Sequence, residues 1–222
     1  MMKMLTSLLT LSCCLHAVAD EMSVKAVPVT PTQTISLFNG TDFAGWTKVI
    51  TAEPGSDPDT TWTVADGVIR CTGKPFGYLM TQQCFANFAL KVEYRWYAQT
   101  EQMNSGIFVL KTGPDSFFLP KAIEAQLKKD SAGDFVLLSQ ATLNGLENPK
   151  HKSVKKRAAS SEKPDGEWNR VEVVVKGNTV TVTVNGVLQN KGTEAYTDAG
   201  AICLQSEGGA IEFRNITVEP IR

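Results

Sequence analysis

Apolar and polar residues alternate strictly in several short runs along this chain. From Phe88 to Trp96, the residues Phe88, Leu90, Val92, Tyr94 and Trp96 share one side, and Ala89, Lys91, Glu93 and Arg95 share the other. A period of two marks a strand with one face buried. The same alternation runs through Val171–Val175 and Thr179–Val184 across a Gly177-Asn178 turn, and through Trp62–Arg70 across Asp66-Gly67. Asp-Gly and Asn-Gly pairs supply the positive φ angles that tight hairpins need, so Asn185-Gly186 predicts a further turn into Val187-Leu188-Gln189. Ala201–Ser206 and Ala210–Val218 complete the set. Short strands with turns spaced roughly eight to twelve residues apart predict an all-β sandwich or jelly roll. No internal repeat, second domain or long amphipathic helix interrupts the pattern.

One segment resists this reading. Lys121–Asp130 is rich in good helix formers, and propensity alone predicts a helix there. Read instead as a strand, Ile123-Glu124-Ala125-Gln126-Leu127 places Glu124 and Gln126 on one face and the three apolar residues on the other. A sugar-cleaving sandwich often carries two carboxylates at such a place, one as acid and one as nucleophile or base. Here the second position is an amide, which neither gives nor takes a proton near neutral pH. A catalytic strand of this composition calls for chemistry with one carboxylate.

Composition narrows the function classes. The 222 residues are 42% hydrophobic, enough for a proper core, and carry a formal charge of −1, which gives no electrostatic case for nucleic acid or an anionic membrane. The basic run from Lys150 to Arg157 has no interleaved aromatics and reads as a solvated loop. At the N-terminus, Lys3, the apolar run Leu5–Leu15 and Ala17-Val18-Ala19 match a signal peptide over residues 1–19, too short to span a bilayer. A lipoprotein reading through Cys13 or Cys14 lacks a convincing lipobox. The expectation is a signal peptide (1–19), a linker (20–34) and one domain (35–222). The mature protein would be exported, periplasmic or extracellular, and free of the membrane. The cysteines beyond the signal are Cys71, Cys84 and Cys203, an odd count suggesting one bridge and one free thiol, with three pairings open. Only His16 and His151 are present, and His16 leaves with the signal, which excludes a histidine triad or histidine metal site.

Several phrases then fall in a recognisable order. Ser36-Leu-Phe-Asn-Gly40 with Gly45-Trp46, Trp62-x-Val-x-Asp-Gly-Val-Ile, Asn104-Ser-Gly-Ile-Phe108 and Ile123-Glu-Ala-Gln126 come first. Gly166-Glu-Trp-Asn169, Val184-Asn-Gly-Val187 and Glu212-Phe-Arg-Asn-Ile216 follow. Each is weak alone, but the ordered set, spanning roughly Ile35 to Arg222, resembles the DUF1080 family of 3-keto-disaccharide hydrolase domains. The resemblance implies a concanavalin A-like jelly-roll sandwich of two antiparallel sheets, and hence a strand at Lys121–Leu127. It also implies action on glycosides whose C3 hydroxyl has been oxidised to a ketone. The ketone acidifies the C2 proton and makes the C1 oxygen a β-leaving group. Elimination followed by hydration then needs one base, a stabiliser for the enolate and proton delivery to the leaving group. A separate sugar 3-oxidoreductase would supply the ketone, since this chain has no dinucleotide fingerprint.

On that reading Glu124 is the base, against the plainer alternative of a surface strand glutamate. Gln126, Gln205, Asn104, Arg95 and Lys121 are candidate sugar or enolate contacts. Arg95 could equally pair with Glu93 or Glu124, Asn104 could simply close a turn, and Gln126 could be an ordinary strand amide. Glu207 stands where many members of the family carry a histidine, and could be an acid, a metal ligand or a loop residue. No cofactor is required, although oxygen ligands from Glu124, Gln205 and Glu207 would suit a divalent cation. The resemblance favours a Cys71–Cys203 bridge over one to Cys84. Trp62 and Trp168 begin alternating strands and are expected in the core, with Trp46 less clear. Two other functions stay open: a non-catalytic lectin-like module, and conventional hydrolysis by Glu124 and Glu207.

Overall fold

The computed structural model describes residues 27–114, 119–144 and 151–221, without the side chains of 151 and 152. The expected signal peptide therefore lies outside the described residues. The strands, in chain order, are β1 (Ile35–Ser36), β2 (Trp46–Ile50), β3 (Trp62–Ala65), β4 (Val68–Cys71), β5 (Gly77–Thr81), β6 (Phe85–Ala86), β7 (Phe88–Trp96) and β8 (Gly106–Thr112). They continue as β9 (Lys121–Gln126), β10 (Phe135–Leu138), β11 (His151–Val154), β12 (Asn169–Lys176), β13 (Thr179–Val184), β14 (Val187–Gly192), β15 (Ala199–Ser206) and β16 (Ile211–Pro220). A single helical turn, Pro58–Thr61, is capped by the Asp57 side chain accepting from Asp59 N–H.

Two eight-stranded antiparallel sheets face each other. The back sheet runs β14-β13-β12-β7-β16-β4-β3, with β1 beside β16. The front sheet runs β11-β10-β9-β8-β15-β5-β2, with β6 beside β15. Alternation decides what lies between them. Phe88, Leu90, Val92, Tyr94 and Trp96 of β7 meet Ile107, Val109, Ile123, Ala125, Leu127 and Leu204 from the front sheet in one buried core. Each large aliphatic side chain so buried contributes about 1.5–3 kcal/mol relative to exposure. The expected hairpins form, with Asp66 and Gly67 at φ 54° and 73° and Asn185 and Gly186 at φ 49° and 80°. These are the left-handed conformations of a twist-matched two-residue turn.

Lys121–Gln126 is a strand, paired on both sides by β8 and β10. Ladder pairing and burial of Ile123 and Ala125 outweigh helix propensity there.

Several expectations need correction. Residues 27–34 are no free linker, because Val29 bridges Phe85 in parallel, donating to Cys84 O and accepting from Ala86 N–H. The basic run is no solvated loop either. His151–Val154 pairs with β10, Lys155 Nζ reaches Asp134 at 2.9 Å, and Lys156 N–H donates to the same carboxylate. Trp62 is fully buried as expected, but Trp168 lies on the outer face of the back sheet with the Arg95 and Arg214 guanidinium groups 4.6 and 3.9 Å from its ring.

No Cys71–Cys203 bridge forms, and all three described cysteines are free. Cys71 points into the core between the sheets, whereas Cys203 packs in a second cluster on the far face of the front sheet. The front sheet stands between the two thiols. Family phrasing fixed their strands but not the parity of residues that turns one inward and the other outward.

Candidate functional site

The outer face of the front sheet carries a second, smaller apolar cluster: Tyr78, Met80, Phe108, Ala122, Leu138, Ala201 and Cys203. Strand register arranges its polar residues in rows. Phe108 pairs with both Glu124 of β9 and Cys203 of β15, and Cys203 pairs in turn with Met80 of β5. In the neighbouring row Gln126 pairs with Gly106, and Gln205 pairs with Tyr78. Gln205 lies one step beyond the Leu204–Ile107 pair, which brings it opposite Gly106. A third row joins Asn104, two residues before Gly106, to Glu207, two residues after Gln205, through an Asn104 Nδ2 donation to Glu207 Oε2 at 2.8 Å.

Gly106 is the pivot of this arrangement. A methyl group added there would lie 2.2 Å from Glu124 Oε1, so the carboxyl group of Glu124 leans along the sheet into the space glycine leaves. That lean carries it from the Phe108 row toward the row of Gln205 and Tyr78. Glu124 is only 2% exposed. Its pKa is raised well above the usual carboxylate range, first because burial strips its water and then because Glu207 is a nearby like charge.

Around it, hydrogen-bonding capacity is left unused. Eight buried side-chain N or O atoms among the described residues have no partner, and five belong to this face: Glu124 Oε1, Asn104 Oδ1, Tyr78 Oη and both amide atoms of Gln205. Each such atom costs about 1–3 kcal/mol when nothing satisfies it. Five on adjoining rows make this face one whose buried polar groups the protein itself does not satisfy. Tyr78 is the residue missed by sequence reading. Burial raises its pKa, so it stays a neutral O–H donor. The only signal for it was its place in Gly77–Thr81, an apolar run with no alternation to show which face is polar.

The structure thus brings Glu124, Asn104, Gln205 and Glu207 together. Gln126 sits at the margin, with its Oε1 accepting from Leu127 and Lys128 N–H. Arg95 and Lys121 do not belong to the group. Arg95 lies on the outer face of the opposite sheet, where its Nε donates to Glu212 at 2.6 Å. Burial pushes the Glu212 carboxyl up, but hydrogen bonds from Arg70 and Arg95 more than offset this and lower its pKa. Lys121 shares the Ile123 side of β9, with its Nζ 4.6 Å over the Tyr196 ring. The Arg95 placement has a direct consequence. Arg95→Ala should leave carbohydrate turnover within about twofold while costing roughly 1–2 kcal/mol of stability, the scale of a lost charged hydrogen bond; a thermal melt beside an activity assay measures both.

Glu124, Glu207 and Gln205 present the hard oxygen donors a divalent cation would take. Among the described residues, no group of three or more His, Cys, Asp or Glu is placed to hold a metal. No helix of the described residues is long and apolar enough to cross a membrane.

Residues 33–219 match the family described as the 3-keto-alpha-glucoside-1,2-lyase-like domain. The chain is 28% identical to a 3-keto-disaccharide hydrolase of Bacteroides thetaiotaomicron, over 90% of this chain and 83% of that protein. Among solved structures it resembles the β-glucanase of Bacillus licheniformis, with a TM-score of 0.58 at 16% identity, covering 86% of this chain and 99% of that one. It also resembles the carbohydrate-binding module CBM66 of Bacillus subtilis, with a TM-score of 0.58 at 11% identity over 79% and 95% of the two chains. These likenesses identify the two-sheet architecture as concanavalin A-like.

Proposed function

We infer the reaction from two premises: the chain belongs to the 3-keto-alpha-glucoside-1,2-lyase-like domain family, and its site is built around one deeply buried carboxyl group. It is a glycoside-hydrolase-like, carbohydrate-active protein. We propose that its substrates are 3-keto-glycosides, cleaved by elimination and hydration. Glu124 takes the C2 proton, and the C2–H electrons form an enolate with the C3 ketone. The enolate then expels the C1 oxygen, which takes a proton from water and leaves as the alcohol. The hydroxide adds at C1 of the resulting C1–C2 double bond, and Glu124 returns its proton to C2. Neutral donors suit the middle of this sequence. The Tyr78 hydroxyl and the Gln205 amide can donate to the enolate oxygen, which carries charge only after the proton has moved. Asn104 and Glu207 stand at the next row for sugar hydroxyls and the leaving oxygen.

The observation that carries this reading is the carboxyl group of Glu124 over Gly106, with unused neutral hydrogen-bonding groups beside it. A raised pKa makes a stronger base once ionised, and general bases work best with a pKa near the working pH. Export through residues 1–19 and a separate sugar 3-oxidoreductase that supplies the ketone complete the proposal. The deciding assay offers purified protein a 3-keto-glucoside and its unoxidised parent. Turnover of the oxidised compound alone supports the reading. Saturable binding with no turnover of either would make the protein a lectin-like module.

A second reading, hydrolysis by a Glu124–Glu207 pair, draws on the closeness that lets Glu207 raise the Glu124 pKa. Glu207→Gln separates the two. Under elimination, removing the like charge lowers the Glu124 pKa, so the acid limb of the kcat/KM profile moves to lower pH while activity persists. Under two-carboxylate hydrolysis the same variant loses about 10²-fold or more at every pH, with the unoxidised glycoside as substrate.

A further inference from the structure

The described residues hold five sulfur-bearing side chains: Cys71, Met80, Cys84, Met103 and Cys203. Cys71 and Met103 lie in the core between the sheets. The other three meet on the outer face of the front sheet. Cys203 of β15 pairs directly with Met80 of β5, and both belong to the apolar cluster on that face. Cys84, just before β6, packs against the same cluster. β6 pairs with β15 through Ala86–Ala199 and Phe85–Gly200, so the next step sets Cys84 beside Ala201, two residues from Cys203. Met80, Cys84 and Ala201 line one hollow of about 630 Å³, and Cys84 is only half-buried.

The spacing suits a bridging ion. Directly paired residues hold their Cβ atoms about 4.5–5.5 Å apart, and the Cα atoms of diagonal neighbours are about 7–8 Å apart. A disulfide draws Cβ atoms to about 3.5–4.5 Å, closer than a diagonal Cys84–Cys203 pair. Two metal–sulfur bonds of about 2.3 Å each span the wider gap, with the Met80 thioether reaching in from the paired position. Lys111 also lines the hollow and is buried beside both thiols. Burial pulls its pKa down, while Cys203 and Cys84 draw it up. Burial likewise pushes the Cys203 thiol up, and Lys111 draws it down. An ammonium there offsets the single negative charge left by two thiolates and one monovalent cation.

The donor set selects the metal. Structural zinc takes four ligands from Cys, His, Asp and Glu, and among the described residues no three of these are placed to hold a metal. Two thiolates and a thioether are the soft set that favours Cu(I). We propose that Met80, Cys84 and Cys203 form a Cu(I) site, separate from Glu124 and its reaction. One Cu(I) takes the place of two thiol protons, which leave to solvent, and neither copper nor sulfur changes oxidation state.

The test titrates the full chain, reduced and anaerobic, with Cu(I) in competition with bathocuproine disulfonate. Cys13→Ser and Cys14→Ser are introduced throughout, so that Cys71, Cys84 and Cys203 are the only thiols. One Cu(I) should bind per chain with an ultraviolet thiolate-to-copper charge-transfer band, and X-ray absorption should find three sulfur neighbours around it. Cys84→Ser and Cys203→Ala should each weaken binding by more than the ~10- to 100-fold typical of a metal site's outer partners. Met80→Leu conserves volume and should weaken it by about 10-fold, the low end of that scale. Cys71→Ala, on the inner side of the sheet, should bind as tightly as the parent. X-ray absorption needs none of these variants, so a Cys203→Ala chain that fails to fold leaves the test intact. Fewer than three sulfur neighbours overturns the site, and so does an affinity unchanged by Cys84→Ser or by Met80→Leu.

Discussion

Glu124→Gln should lower kcat/KM on a 3-keto-glucoside roughly 10³-fold, within the range that general-base catalysis contributes, while making the protein more stable at neutral pH. Both effects come from one arrangement. Glu124 is buried, Glu207 is close, and its Oε1 has no hydrogen-bond partner. The amide keeps the shape of the side chain and cannot take a proton. A variant that lost stability as well as activity would mark Glu124 as a structural strut and remove it from the mechanism.

The sign of the stability change follows from the pKa. In the unfolded chain Glu124 ionises near the ordinary glutamate value of about 4.3, whereas the fold holds it higher. The unfolded state therefore releases this proton first, and the wild-type fold loses stability as pH rises from about 4.3 up through the raised folded pKa. Glutamine carries no such loss. The variant's advantage is absent below about pH 4, grows with pH, and should reach the order of 1–2 kcal/mol, typical of single stabilising changes. Paired melts across that pH range measure it.

Legibility in the sequence followed periodicity closely. Where one face of a strand is buried and the other wet, as from Phe88 to Trp96, alternation read both strand and orientation correctly. Where both faces are covered the signal vanished, which is why Tyr78 in the uniformly buried strand Gly77–Thr81 went unseen. Glu124, Asn104, Gln205 and Glu207 were legible because each lies in a family phrase or alternates beside apolar neighbours. Arg95 was misplaced for a different reason. Its phase on β7 was right, but phase cannot say to which sheet a strand belongs, and β7 lies in the sheet opposite Glu124. Trp168 erred likewise, since a tryptophan at the start of an alternating strand packs inward or, between Arg95 and Arg214, outward with equal regularity.

Gly106→Ala is expected to be the most informative substitution that leaves every functional group in place. Gly106 does not occupy a left-handed conformation, so alanine brings no backbone strain. Its added methyl would lie 2.2 Å from Oε1, 2.7 Å from Cδ and 2.8 Å from Cγ of Glu124. The end of a flexible side chain can yield, so the fold should survive with a loss on the order of 1 kcal/mol. The carboxyl group cannot stay where it is. Pushed back toward the Phe108 row, it loses its position beside Gln205 and Tyr78, and a displacement near 1 Å from reacting geometry costs about 10²-fold in rate. The loss should fall mainly on kcat, because Asn104, Gln205 and Tyr78 still bind the sugar. If Gly106→Ala kept full activity, the carboxyl position over Gly106 would not be the reacting one, and proton abstraction would have to be assigned to Glu207.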